Sequence, residues 1–158
     1  FPIYRKMQNP FWEEKIRKIR SRYGNQALEA DDVMKHILRN PNDGNSVYMF
    51  VADQTPHISM VNFGIWFLNQ KTPVFVGYDR LSGRMNVTFV YCEMEKIKRG
   101  HYRVTYHEIT PTNQKFEPYE VVKKFHQNLE KTINKNPDNW LWSHRKWKYK
   151  DAIKHFDE

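Results

Sequence analysis

A chain of 158 residues is long enough for one domain with a real core. Only 39% of it is apolar, but 15% is aromatic, and burying large rings can compensate. A formal charge of +8 and a pI near 9.5 favour an anionic partner (nucleic acid, membrane headgroups or a phosphorylated substrate) over a basic surface with no specific target. The single Cys92 excludes an internal disulfide and, lying in an apolar run, reads as a buried structural thiol. No Cys/His cluster has zinc spacing, and no apolar run approaches the roughly 18 residues that a membrane-crossing helix needs.

In chain order, residues 1–5 read as extended. Asn9 and Pro10 then form a helix start, with Asn as the cap and Pro at the first helical position. Trp12, Ile16, Ile19 and Tyr23 recur at helical spacing among Lys15, Arg17, Lys18, Arg20 and Arg22, and Gly24 is a natural stop. Such a basic amphipathic helix packs its stripe on a core or lies on a membrane surface. A second helix is expected over residues 30–39, and residues 40–44 form a turn. Residues 47–52, rich in β-formers, are expected to be the central buried strand. That strand would run into Asp53 and Gln54 at its carboxyl end, where ligands of open α/β sheets sit. The bland alternative is that Asp53 caps a turn.

Beyond His57, residues 58–68 are apolar and aromatic, and residues 72–76 have strand propensity. Residues 77–85 look helical, with Arg80 and Arg84 four apart. Residues 87–94 and 102–109 read as a hairpin joined by a charged connection at 95–100. Residues 111–118 read as a loop. Val122, Phe125, Leu129 and Ile133 mark a helix ending at Asn136, where Asn136 and Pro137 would start another carrying Trp140, Leu141, His144 and Trp147. The tail from Asp151 is polar and uninformative.

Three groups stand out chemically: Arg5, a fork-shaped donor suited to phosphate; the Asp53–Gln54 corner; and Trp140 to Trp147. The tryptophans and their basic neighbours could stack on bases, sit at a lipid interface, or lock the fold as a final helix. Glycines are too scattered for a phosphate-cradling loop.

Taken in order, these pieces resemble the late lipid A biosynthesis acyltransferase family, within the lysophospholipid acyltransferase-like superfamily, in the style of its Bacteroidetes members. The resemblance is carried by Ile3-Tyr4-Arg5 before an Asn-Pro helix and by Ile19-Arg20-Ser21-Arg22-Tyr23-Gly24. It continues through Val51-Ala52-Asp53-Gln54 and Phe67-Leu68-Asn69-Gln70 before Thr72-Pro73 and Gly77. It closes with Asn136-Pro137 leading to Trp140-Leu141-Trp142-Ser143-His144-Arg145-Lys146-Trp147. The resemblance implies that residues 72–85 are a helix, overriding strand propensity at 72–76, with residues 87–93 the next core strand.

The resemblance further implies transfer of a fatty acyl chain from acyl carrier protein to a hydroxyl of a lipid A precursor, at the cytoplasmic face of the bacterial inner membrane. No cofactor and no metal are implied. The family's base is a histidine in His-x4-Asp/Glu, and none of the seven histidines here has an acid five positions on. No catalytic residue is therefore expected in this chain. The base is expected upstream of Phe1, and residues 1–158 are expected to be a single domain, the C-terminal portion of such an enzyme, inactive alone. Arg5 matches the family's phosphate-holding arginine, and Asp53 and Gln54 its Asp-Gln block; Lys6 stands where many members have proline. Arg5 and Asp53 are expected to meet around a phosphorylated lipid. Trp12, Arg20, Arg22, Trp140, Trp142, Arg145 and Trp147 are the expected lipid-surface contacts. The partners implied are acyl carrier protein, the lipid A precursor and the inner-membrane surface, not nucleic acid, with self-association of the isolated piece. The fold expected is α/β, a small mixed sheet flanked by helices. A basic aromatic-rich nucleic-acid-binding module and a non-catalytic lipid-surface protein are the alternatives.

Overall fold

A computed structural model describes residues 1–40, 44–82, 87–110 and 116–156. The fold is mixed α/β with small sheets, as expected, and it divides into two compact units, Phe1–Val51 and Ala52–Glu158.

In the first unit, β1 (Ile3–Tyr4) runs parallel to β2 (Leu28–Glu29). Helix α1 (Pro10–Arg20) starts where expected, because the Asn9 side chain accepts from the Phe11 and Trp12 amides and Pro10 needs no amide partner. Helix α2 (Val33–Arg39) begins three residues later than the sequence pattern suggests and buries Val33 and Ile37; Tyr4 of β1 is buried too. The turn expected over 40–44 lies largely outside the described residues.

The stretch expected to be the central strand is not one. Residues 47–52 straddle the two units, and only Met49 makes a bridge, parallel to Pro2. Val47, Met49 and Val51 are 75%, 56% and 63% exposed, and of the six residues only Ala52 is buried. Apolar, β-branched composition favours extended backbone, but a strand also needs neighbouring strands to take up its amides and carbonyls.

In the second unit, β3 (Phe63–Phe67) and β4 (Gln70–Val74) form an antiparallel hairpin. Leu68 and Asn69 both have positive φ, which makes the tight two-residue turn whose twist suits a hairpin. The helix expected over 72–85 is thus corrected to a strand and a short helix, α3 (Asp79–Ser82). Strand propensity over 72–76 was the sounder guide. Pro73 is tolerated because β4 is the sheet's edge. Arg84, expected to share a helix side with Arg80, lies outside the described residues.

Strands β5 (Phe89–Lys98) and β6 (His101–Thr110) form the expected hairpin, but its strands continue through the expected charged connection. Glu95 forms an ion pair with Arg103 at 3.3 Å, and Glu93 hydrogen-bonds His107 Nε2 at 2.7 Å, so polar side chains pair across the ladder there. Cys92 is exposed on this ribbon, not buried, because a two-stranded ribbon covers one face only. The expected loop at 111–118 falls mostly outside the described residues.

Helix α4 (Glu120–Lys135) buries Val121, Val122, His126, Leu129 and Ile133 against β3, β5 and β6. The helix expected after Asn136 does not form: a 3₁₀ turn at Pro137–Asn139 gives way to successive turns. Asn128 and Thr132 cap earlier carbonyls of α4, while the Trp142 indole donates to the Pro137 carbonyl at 2.7 Å, tying the segment back on itself. The tail is not uninformative, since β7 (His155–Phe156) pairs parallel with β3 and completes the order β4-β3-β7.

Candidate functional site

The Asp53–Gln54 corner is a bend without regular structure, so its backbone polar groups need partners from elsewhere in the chain. Among the described residues, Gln54 and the adjoining Thr55 find them in residues 144–146. The Thr55 amide donates to His144 Nε2 at 2.8 Å, which makes Nε2 the unprotonated ring nitrogen. The Thr55 hydroxyl lies 2.9 Å from the Arg145 carbonyl and 2.7 Å from the Lys146 carbonyl, and donates there. Lys146 Nζ donates to the Gln54 carbonyl at 3.2 Å. Two motifs some ninety positions apart are thereby joined into one constellation.

The charge at its centre is unusual. Lys146 is fully buried, its ammonium 6.0 Å from the centre of the Phe67 ring. Burial pushes its pKa down to about 8, and the nearby Asp53 carboxylate opposes that fall. His126, also buried, lies edge-on to Phe67 and hydrogen-bonds the Val122 carbonyl through Nδ1. Its pKa falls to about 3, through burial first and the Lys146 charge second, with the Val122 bond pulling the other way. It is therefore neutral, with Nδ1 carrying the proton and Nε2 making no hydrogen bond among the described residues.

The Trp147 indole donates to the buried Thr72 hydroxyl at 2.7 Å, pinning the segment to the β3–β4 hairpin. Trp140 is half-buried against Phe67, ring centres 6.3 Å apart. Trp142 and Arg145 are exposed. Asp53 is half-buried and Gln54 exposed, so both side chains are open to a ligand while the Gln54 carbonyl is held.

Arg5, in the first unit, is exposed and in no ion pair among the described residues. The loop that carries it is anchored by Glu13, which accepts from the Met7 amide at 2.8 Å and the Tyr4 hydroxyl at 2.9 Å. The Met7 amide, followed by the Tyr4 hydroxyl, holds the Glu13 carboxyl below the usual carboxylate range. In α1 no residue is buried: Phe11, Trp12 and Ile19 are 63%, 48% and 60% exposed, and Lys15 reaches over the Phe11 and Trp12 rings. Arg20 stacks over Tyr4 at 5.0 Å and Arg22 over Tyr23 at 5.6 Å.

Inspection of the sequence missed Thr55, Thr72, His126 and Lys146. Lys146 stands in a basic run where solvent exposure is the ordinary expectation, and only its place between Arg145 and Trp147 hinted otherwise. His126 was legible as a position on the α4 stripe, but not as its buried polar member. Among the described residues no group of three His, Cys, Asp or Glu could hold a metal ion, and no helix is long and apolar enough to cross a membrane.

A family model described as bacterial lipid A biosynthesis acyltransferase matches residues 2–149. No curated protein matches the chain.

Proposed function

The chain belongs to the bacterial lipid A biosynthesis acyltransferase family and has a lipid A acyltransferase-type function, and on that footing we propose that its residues hold a phosphorylated lipid A precursor while acyl carrier protein delivers the acyl chain. A precursor hydroxyl loses its proton to a base and attacks the thioester carbonyl. The new ester bond forms as the carrier's thiolate leaves and takes up a proton. None of the seven histidines has an acid five positions on, so the base is assigned to sequence outside these residues, and the chain alone is inactive. No cofactor takes part.

What carries this reading is the joining of the Asp53–Gln54 corner and the adjoining Thr55 to residues 144–146, two separate motifs of the family resemblance, through four polar contacts. The held backbone leaves a carboxylate and an amide open to sugar hydroxyls. Arg5 takes the phosphate, because a guanidinium fork matches its oxygens. The uncovered apolar residues of α1, set among Arg17, Lys18 and Arg20, suit the headgroup region of an anionic membrane such as the cytoplasmic face of the inner membrane. Trp12, Arg20 and Arg22 are the contacts there; in the second unit the exposed Trp142 and Arg145, together with the half-buried Trp140 and Trp147, are assigned as further lipid-surface contacts.

The test is binding to mixed micelles carrying a phosphorylated lipid A precursor. Arg5→Ala should weaken binding roughly tenfold, the worth of one charge-assisted contact. Equal affinity for the dephosphorylated lipid would remove the phosphate role. Robust acyl transfer by residues 1–158 alone would overturn the placement of the base.

A further inference from the structure

Complete burial of a lysine is costly, and a methionine of similar volume would serve packing better. Yet Lys146 lies fully buried beside the corner just described, and the groups around it come from three places. The corner supplies the Gln54 carbonyl at 3.2 Å and the Asp53 carboxylate, whose charge favours the ammonium. Strand β3 supplies the face of Phe67. Helix α4 supplies His126, neutral, whose protonation the ammonium opposes. The backbone of the same residue accepts the Thr55 hydroxyl, so Lys146 grips residues 54 and 55 from both its ends.

We infer that Lys146 is a positioning residue: its ammonium holds the Gln54 carbonyl while its own carbonyl holds the Thr55 hydroxyl, so that the corner presents its carboxylate and amide in one arrangement. This deepens the reading of Asp53 and Gln54 as substrate-holding residues and rests on it for its purpose, though not for its geometry. Lys146 itself, being buried, does not touch the lipid.

The experiment uses the whole chain, labelled at lysine Cε and at backbone nitrogen for NMR. Lys146→Met should still unfold cooperatively, but its Thr55 amide should exchange with solvent roughly tenfold faster than in the wild type. Lys148→Met, at an exposed neighbour, should leave that amide unchanged. Asp53→Asn should move the Lys146 titration midpoint downward from about 8, because a favourable negative charge is removed. A shift of the midpoint shows that the ammonium and the Asp53 carboxylate meet at the corner. If Lys146→Met does not fold, the Asp53→Asn titration decides alone. An unmoved midpoint, or wild-type exchange at Thr55 in a folded Lys146→Met, overturns the inference. Binding to the lipid A precursor micelles, measured on the same samples, separates the two claims. Positive NMR results with no wild-type binding sink the substrate reading and leave the positioning role. Normal binding with negative NMR results does the reverse.

Discussion

Replacing Thr72 by valine removes one oxygen and keeps the shape of a fully buried side chain. That oxygen accepts the Trp147 indole N–H at 2.7 Å and donates to the Gln70 carbonyl at 2.9 Å. Valine leaves both without this partner. A buried polar group stripped of its bond costs about 1–3 kcal/mol. Trp147 is only half-buried, so water can reach part of the indole, and the expected loss is about 2 kcal/mol. That corresponds to a fall in Tm of about 5 °C. Thr72→Ser is the informative companion: it keeps the hydroxyl and loses one buried methyl, worth about 1 kcal/mol. The expected order of stability is wild type, then serine, then valine, read from urea midpoints by circular dichroism and tryptophan fluorescence with the slope unchanged. If the valine variant equals the wild type or exceeds the serine variant, the Trp147 bond does not anchor residues 144–147.

Substitutions at His126 and at the Gly64–Ile153 contact test two other joints of the second unit. His126 stays neutral in the fold down to about pH 3, whereas an unfolded chain takes up the proton near its ordinary 6.5. Between those values the unfolded state binds more protons, so the histidine's contribution to stability is lost as pH falls from about 6.5 to about 3. His126→Leu should flatten the urea midpoint between pH 7 and 4 relative to the wild type; parallel curves would show that the histidine is not excluded from protonation. At Gly64, an added Cβ would stand 2.6 Å from Ile153 Cδ1 and 2.9 Å from Cγ2. Overpacking there should cost about 1–3 kcal/mol and weaken the pairing of β7 with β3. Ile153→Ala added to Gly64→Ala should cost less than the two singles combined, and strict additivity would disprove the contact.

Elements whose cause is local were legible in the residues. Asn9 and Pro10 start α1 by satisfying or removing the first free amides, and the apolar stripe of α4 repeats at the helical period. The β5–β6 hairpin follows from two β-rich runs and Gly100, whose φ of 78° suits its turn. Family membership was likewise visible in the ordered motifs. Residues 47–52 and 140–147 misled because both readings rested on composition. Whether an apolar run becomes a buried strand depends on strands far away in sequence, and whether a tryptophan-rich run becomes a helix depends on where its indoles find acceptors.

What the sequence determined by itself is therefore the set of chemical parts: the forked cation at Arg5, the acid and amide at Asp53 and Gln54, and the basic tryptophan segment. Tertiary structure alone decided that the corner and the segment meet, and that a lysine indistinguishable from its neighbours on paper is the one sealed from water beneath them. Burial is a property of everything packed around a side chain, and no residue carries that information in its own name.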